Sequence, residues 1–226
     1  MAEPTGAAGV APPQPLPVAG RWRRGWWSPA RRRSSPNFGP RPGGLAVDLV
    51  VLHSISLPPG VYGGNAIEQL FTNRLDTAAH PYFAQLAGLA VSAHFLVRRD
   101  GQLLQFVSCD QRAWHAGQST WRGRDNCNDF SIGIELEGLE GDAFEAAQYR
   151  ALTGLLRAIS RRYPVSDLAG HEQVAPGRKH DPGPGFDWAA LRRMPGFPAA
   201  LGLGQAATAG PRGANSSAAT GRLTTG

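Results

Sequence analysis

The chain has 226 residues, 42% of them hydrophobic, enough for one ordinary domain with a core and tails. The 29 Gly and 19 Pro exclude a helical bundle or coiled coil. No apolar run approaches the roughly 20 residues that span a bilayer, and Cys109 and Cys127 are too few for a disulfide-built scaffold. The net charge of +6 is unevenly spread. Residues 1–44 carry seven Arg against one Glu, and 199–226 carry Arg212 and Arg222 with no acid, while 45–198 is nearly neutral with 14 basic and 16 acidic residues. Basicity confined to the ends, not clustered on a folded face, argues against a nucleic-acid partner.

Residues 1–20 are low in complexity and rich in Pro, as expected of a disordered arm. They show neither the basic start nor the uninterrupted apolar stretch of a secretory signal, so the expectation is a cytoplasmic protein with reduced thiols. The next segment, 21–44, is Arg-rich and holds Trp22, Trp26 and Trp27, which suggests that it wraps onto the domain.

Val47–Leu52 is a β-branched apolar run, the pattern of a buried strand, with His53 directly at its end. Loop chemistry follows from Pro58 to Gly64, then two short helices over Ala66–Asn73 and Pro81–Ala87. Ala93–Arg98 and Gln102–Val107 read as strands joined by Asp100-Gly101, a hairpin signal. Ser131–Glu137 alternates as a further strand. Asp142 with Glu145 three residues on predicts a capping box, opening a helix with the stripe Tyr149, Leu152, Leu155, Leu156 and Ile159. Pro164 ends that helix near Tyr163. Leu168-Ala169-Gly170 reads as a strand end leading to His171, Val174–Trp188 as loop, and Trp188–Arg193 as a last short helix. The sum is an α+β domain with a mixed central β-sheet flanked by helices.

Lysine is the first chemical signal. The chain has 22 Arg and a single Lys, Lys179, in a Gly/Pro-rich loop beside His171, His180 and Asp181. A surface charge tolerates Arg for Lys, whereas a site that needs a compact ammonium does not. Of the six histidines, His53 and His171 stand at strand ends, and Asp181 follows ten residues after His171. Two His and one carboxylate form a catalytic zinc set with the fourth position open. The spacing matches no short zinc motif, so the pattern alone is weak. Glu135 and Glu137, two apart on a strand, point to one face. Either a solvated pair or a general base for an attacking water is compatible with that placement.

Six ordered blocks then become recognisable: His53 through Gly60, Ala79-His80-Pro81-Tyr82-Phe83, Val91-Ser92-Ala93-His94, Arg112 through Gly117, Asn128 through Gly138, and Gly170-His171 through Arg178-Lys179-His180-Asp181-Pro182-Gly183-Pro184. Together they resemble the AmpD family of zinc-dependent 1,6-anhydro-N-acetylmuramyl-L-alanine amidases, relatives of the peptidoglycan recognition proteins. The match runs from about Gly25 to Trp188. It sets an amidase domain at 25–198 between an arm at 1–24 and a disordered tail at 199–226.

The resemblance implies zinc held by His53, His171 and Asp181, with Glu135 as general base and Lys179 stabilising the oxyanion. It implies cleavage of the bond between (anhydro-)N-acetylmuramic acid and L-alanine in cytoplasmic peptidoglycan recycling, by a monomer that engages neither membrane nor nucleic acid. The alternative is a non-catalytic domain that only binds peptidoglycan fragments. His180 reads as a bystander, His115 as a wall of the substrate site, and His94 as core or support. Cys127, beside the expected site, reads as a semi-buried thiol, not a ligand. Ser54 stands where the family pattern has Asn, and Ala90 and Asn126 where it has arginines that grip peptide carboxylates. Arg122 and Arg124 are the candidates to compensate, and stem-peptide preference is therefore left open.

Overall fold

The computed structural model describes residues 20–204, so the expectations for 1–19 and 205–226 lie outside the described residues. Seven strands form one sheet: β1 (Arg31–Arg32), β2 (Leu49–Ile55), β3 (Phe95–Val97), β4 (Leu103–Gln105), β5 (Ser131–Glu137), β6 (Asp167–Gly170) and β7 (Gly202–Leu203). Their order is β7-β6-β2-β5-β3-β4-β1. All neighbours run parallel except the β3–β4 hairpin, so the sheet is mixed, as expected.

The central strands are apolar because both faces are covered, and five consecutive residues of β2, Leu49 to His53, are buried. Alternation along β2 and β5 separates two faces. Val50, Leu52, Ile132, Ile134 and Leu136 pack with Tyr149, Leu152, Leu155, Leu156 and Ile159 of helix α3 (Ala146–Arg162). Leu49 and Val51 face the other way with Cys127, Phe130 and Ala169. By the same period, His53, Gly133, Glu135 and Glu137 belong to this second face.

Of the smaller helices, α1 (Ala66–Phe71) and α2 (Pro81–Ala84) pack under the hairpin with Leu57, Leu96, Leu104 and Phe106. Helix α4 (His171–Val174) and helix α5 (Trp188–Arg193) complete the set. The hairpin turn forms as predicted: Asp100 Oδ1 accepts from the Gln102 amide at 2.8 Å, and Gly101 takes a φ of +88°, which suits glycine.

Three expectations need correction. Helix α3 starts at Ala146, not after Asp142, because the Asp142 carboxylate accepts from the Tyr62 hydroxyl at 2.6 Å. The helix is opened instead by Gln148, whose side chain accepts from the Glu145 amide at 3.0 Å. Strand β2 runs on to Ile55, since parallel pairing with β5 continues to Ile55↔Glu137, so His53 lies inside the strand. The packed part also passes both expected boundaries. At one end Trp22 donates its indole N–H to Ala158 O at 3.2 Å and stacks near Trp27, which is 7% exposed in the core. At the other, β7 pairs with β6 through Asp167↔Gly202, and Leu201 is buried. The Trp-rich segment thus wraps onto the domain as its composition suggests.

Candidate metal and catalytic site

Three adjacent parallel strands bring the site together near their C-terminal ends. The β2–β5 register sets Glu135 beside His53, and the β2–β6 register sets Gly170 beside Leu52. Helix α4 begins at the next residue, so His171 comes alongside His53. Asp181 arrives from the Gly/Pro-rich loop, whose backbone is tied back where the Glu172 amide donates to Asp181 O at 3.0 Å.

Among the described residues, His53, His171 and Asp181 form the one His/Cys/Asp/Glu group placed to share a metal ion, and all three are buried. His53 Nδ1 lies 2.9 Å from His171 Nδ1, and Asp181 Oδ2 lies 3.1 Å from each. The triangle is near the edge of about 3.3 Å required by tetrahedral zinc with bonds of about 2.0 Å. The outer ring nitrogens support the same reading. His171 Nε2 donates to Ala116 O at 3.1 Å, and that fixes a bare Nδ1 facing the carboxylate. Two bare nitrogens facing each other and a carboxylate oxygen are a donor set for a cation. Burial lowers the His53 pKa to about 4, so its imidazole is neutral, as a ligand must be. Burial alone would raise Asp181, but the contacts with the His171 and His53 rings outweigh it and hold the carboxyl well below the usual range.

Glu135 and Glu137 separate cleanly. Glu137 accepts from Arg98 at 2.8 Å, from the Gly63 amide at 2.7 Å and from the Arg99 amide at 3.2 Å. It is a structural anion. Glu135 is also buried, yet its Oε2 has no partner among the described residues. Burial raises its pKa well above the usual carboxylate value, Asp181 adds to the rise, and Lys179 opposes it.

A cleft of about 350 Å³ opens beside the metal triad. Its walls include Ser54, Leu57, Tyr82, Trp114, His115 and Lys179, with Asp181 at the same surface. His115 is thus a wall residue as expected, and it also bonds His53, which the sequence did not signal: His53 Nε2 and His115 Nδ1 are 2.9 Å apart. His180 is exposed. His94 is buried in the core, where its Nδ1 accepts from the Gly133 amide at 3.0 Å. Cys127 is fully buried among Val51, Phe130 and Ala169 and belongs to no ligand group among the described residues.

Neither proposed substitute arginine reaches the cleft. Arg124 forks onto Asp48 at 2.9 and 3.0 Å and covers the Phe130 ring, and Arg122 bonds Asp167 at 2.7 Å. Both are held by acids at the opposite, N-terminal end of strands β2 and β6.

Comparison with known proteins decides the family. The family model for N-acetylmuramoyl-L-alanine amidase matches residues 43–184. The chain belongs to that family. It is 52% identical over 172 residues to the 1,6-anhydro-N-acetylmuramyl-L-alanine amidase AmpD of Citrobacter freundii, covering 75% of this chain and 92% of the relative. The AmpD of Escherichia coli strain K12 is also 52% identical, over 171 residues, covering 75% and 93%. A crystal structure of a selenomethionine AmpD derivative superposes with a TM-score of 0.73 at 53% identity, covering 75% of this chain and 96% of that one. A peptidoglycan recognition protein-LE complex, 19% identical with a TM-score of 0.52 over 75% and 96% of the two chains, shares the fold. The expected amidase fold and family membership are both borne out, and as a family member the chain is an N-acetylmuramoyl-L-alanine amidase.

Proposed function

We propose that this amidase hydrolyses the amide joining 1,6-anhydro-N-acetylmuramic acid to the L-alanine of a stem peptide, with zinc held by His53, His171 and Asp181. The observation that carries the proposal is the buried donor triad, whose Asp181 lines the cleft, with Glu135 and its buried, unpartnered oxygen beside His53 on the neighbouring strand. The AmpD relatives, named for that bond, support the substrate class.

When bound, zinc supplies Lewis acidity that polarises the carbonyl and lowers the pKa of water toward about 7. The chain's residues do the rest. Glu135 accepts the proton of the attacking water at Oε2, and its raised proton affinity suits a group that must take a proton and give it up again. It then delivers that proton to the alanine nitrogen, which leaves as an amine. Lys179, half-buried on the cleft wall, stabilises the oxyanion, a role worth about 3 kcal/mol in comparable sites. The apolar wall of Leu57, Tyr82 and Trp114 excludes water from the reacting face.

Retention of all three ligands together with Glu135 and Lys179 favours catalysis over a domain that only binds fragments. Buried free thiols at Cys109 and Cys127 suit a reducing compartment, which supports the cytoplasm. Arg33 pairs with Glu68, and Arg41 donates to four backbone carbonyls, so these basic residues are engaged by the domain itself and not free for a nucleic acid. No described helix is long and apolar enough to cross a membrane.

The test is release of free stem peptide from an anhydromuropeptide by zinc-loaded protein, followed by mass spectrometry, with intact sacculi in parallel. No turnover by a zinc-loaded sample sinks the proposal. Turnover of sacculi in preference to fragments sinks the recycling role.

A further inference from the structure

The two metal-facing histidines are both oriented by consecutive residues of one loop. His171 Nε2 meets Ala116 O, and His53 Nε2 meets the side chain of His115. A ligand imidazole ordinarily gives its outer N–H to a carboxylate, a carbonyl or water. Here the partner of His53 Nε2 is a second imidazole.

The space and the loop are both fitted to that ring. Gly133, on β5 beside Val51, leaves room for it, since a β-carbon at that position would run into the His115 ring. Asn128 Oδ1 accepts from the amides of both His115 and Ala116, at 3.1 and 2.8 Å, and so ties the two supports to one side chain. Ser131 Oγ lies 3.2 Å from the far nitrogen, His115 Nε2. With His53 Nδ1 assigned to the metal, the tautomers follow. His53 offers a bare Nδ1 to the metal and donates from Nε2. His115 accepts at Nδ1 and donates from Nε2 to Ser131. The His53 and His115 rings are nearly perpendicular, at 83°, with centroids 5.0 Å apart, so the contact is nitrogen to nitrogen and not a stack.

We infer that His115 is a positioning residue for the metal centre, acting through the N–H···N hydrogen bond to His53, with Asn128 fixing its loop and Gly133 making its space. This rests on the metal-site reading above. His115 touches no ion itself. It selects the tautomer and ring angle of a ligand that does.

The experiment uses the full chain. In protein labelled with 15N at histidine, the hydrogen bond gives a 15N–15N coupling across it between His53 Nε2 and His115 Nδ1, which reads the bond itself. Its absence overturns the inference. Zinc affinity is measured alongside, by competition with a chromophoric chelator. His115→Phe keeps the ring volume and loses the acceptor, and is expected to weaken zinc binding by about 10- to 100-fold. His115→Asn, whose amide oxygen can take the place of Nδ1, is expected to recover most of that loss. Equal zinc affinity in His115→Phe and the parent overturns the inference even if the parent binds zinc and turns over. A parent that binds no zinc overturns the metal reading itself, and the coupling then reports on His115 separately. Unfolding of the metal-free variants checks that they fold.

Discussion

Two corners at the same end of the sheet hold buried acids, and they differ in one respect. Around Glu137 every charge is answered. Arg98 lies between Glu137 and Glu68 at 2.8 and 3.0 Å, Arg33 reaches Glu68 at 2.7 Å, and the Gly63 and Arg99 amides complete the shell. Around Glu135, two residues earlier on β5, one carboxylate oxygen is buried without a partner among the described residues, next to two imidazoles and a carboxylate drawn toward one point. The first corner ties helix α1 to the sheet through Arg98. The second gathers a donor set that could hold a cation beside a carboxyl oxygen that nothing answers among the described residues. A buried polar group left unsatisfied costs stability, so it persists where a ligand or a reaction makes use of it.

Substitutions sharpen that contrast. The largest effect is expected in the second corner. His171→Ala should lose stoichiometric zinc in metal analysis, and with it essentially all amidase turnover. Glu135→Gln should keep zinc yet lower kcat by about 10²- to 10⁴-fold. Glu137→Gln should show the opposite profile. Leaving Arg98 buried and underpaired is expected to cost about 3–5 kcal/mol in urea unfolding, while the folded fraction still turns over. If Glu137→Gln instead kills turnover with stability intact, the two corners have been assigned the wrong way round.

Lysine 179 comes next in size. Lys179→Ala should lower kcat by about 100-fold, in line with the loss of one oxyanion-stabilising group. Lys179→Arg should recover only part of it, since a planar guanidinium does not replace a compact ammonium. Full recovery by Arg would remove the reason for reading this lone lysine as chemical.

The smallest effect is in pH dependence. Glu135 in the folded protein holds its proton to higher pH than in the unfolded chain. The folded state therefore binds more protons between the unfolded value, about 4.3, and the raised folded one, and stability falls as pH rises through that window. Glu135→Gln lacks this titration. The metal-free variant should gain on the metal-free parent as pH rises from 4 upward, in urea unfolding at stepped pH. A variant that loses ground to the parent, or merely keeps pace with it, as pH rises contradicts the burial of Glu135 as a free acid.

Much of this was legible beforehand, for identifiable reasons. The single lysine, the two strand-end histidines and Asp181 could be flagged because their residue types are chemically unusual where they stand. Strand alternation put Glu135 and Glu137 on one face but could not divide them, because the division depends on Arg98 and the Gly63 amide, 39 and 74 residues away. Arg122 and Arg124 were near in sequence and far in function, since Asp167 and Asp48 hold them at the other end of the strands. The start of α3 was misplaced because Asp142, a good cap by type, is bonded to Tyr62, 80 residues earlier.

By itself the sequence determined the local matters: which runs make strands and helices, which face of each is apolar, and which few side chains carry unusual chemistry. These follow from backbone period and residue type, which act over a few residues. Tertiary structure alone decided the partnerships. Parallel register brought His53, Glu135 and His171 to one strand end, and loop packing put His115 against His53. Such meetings join residues tens to more than a hundred positions apart, and the free energy that selects them is that of the whole packed sheet, not of any segment within it.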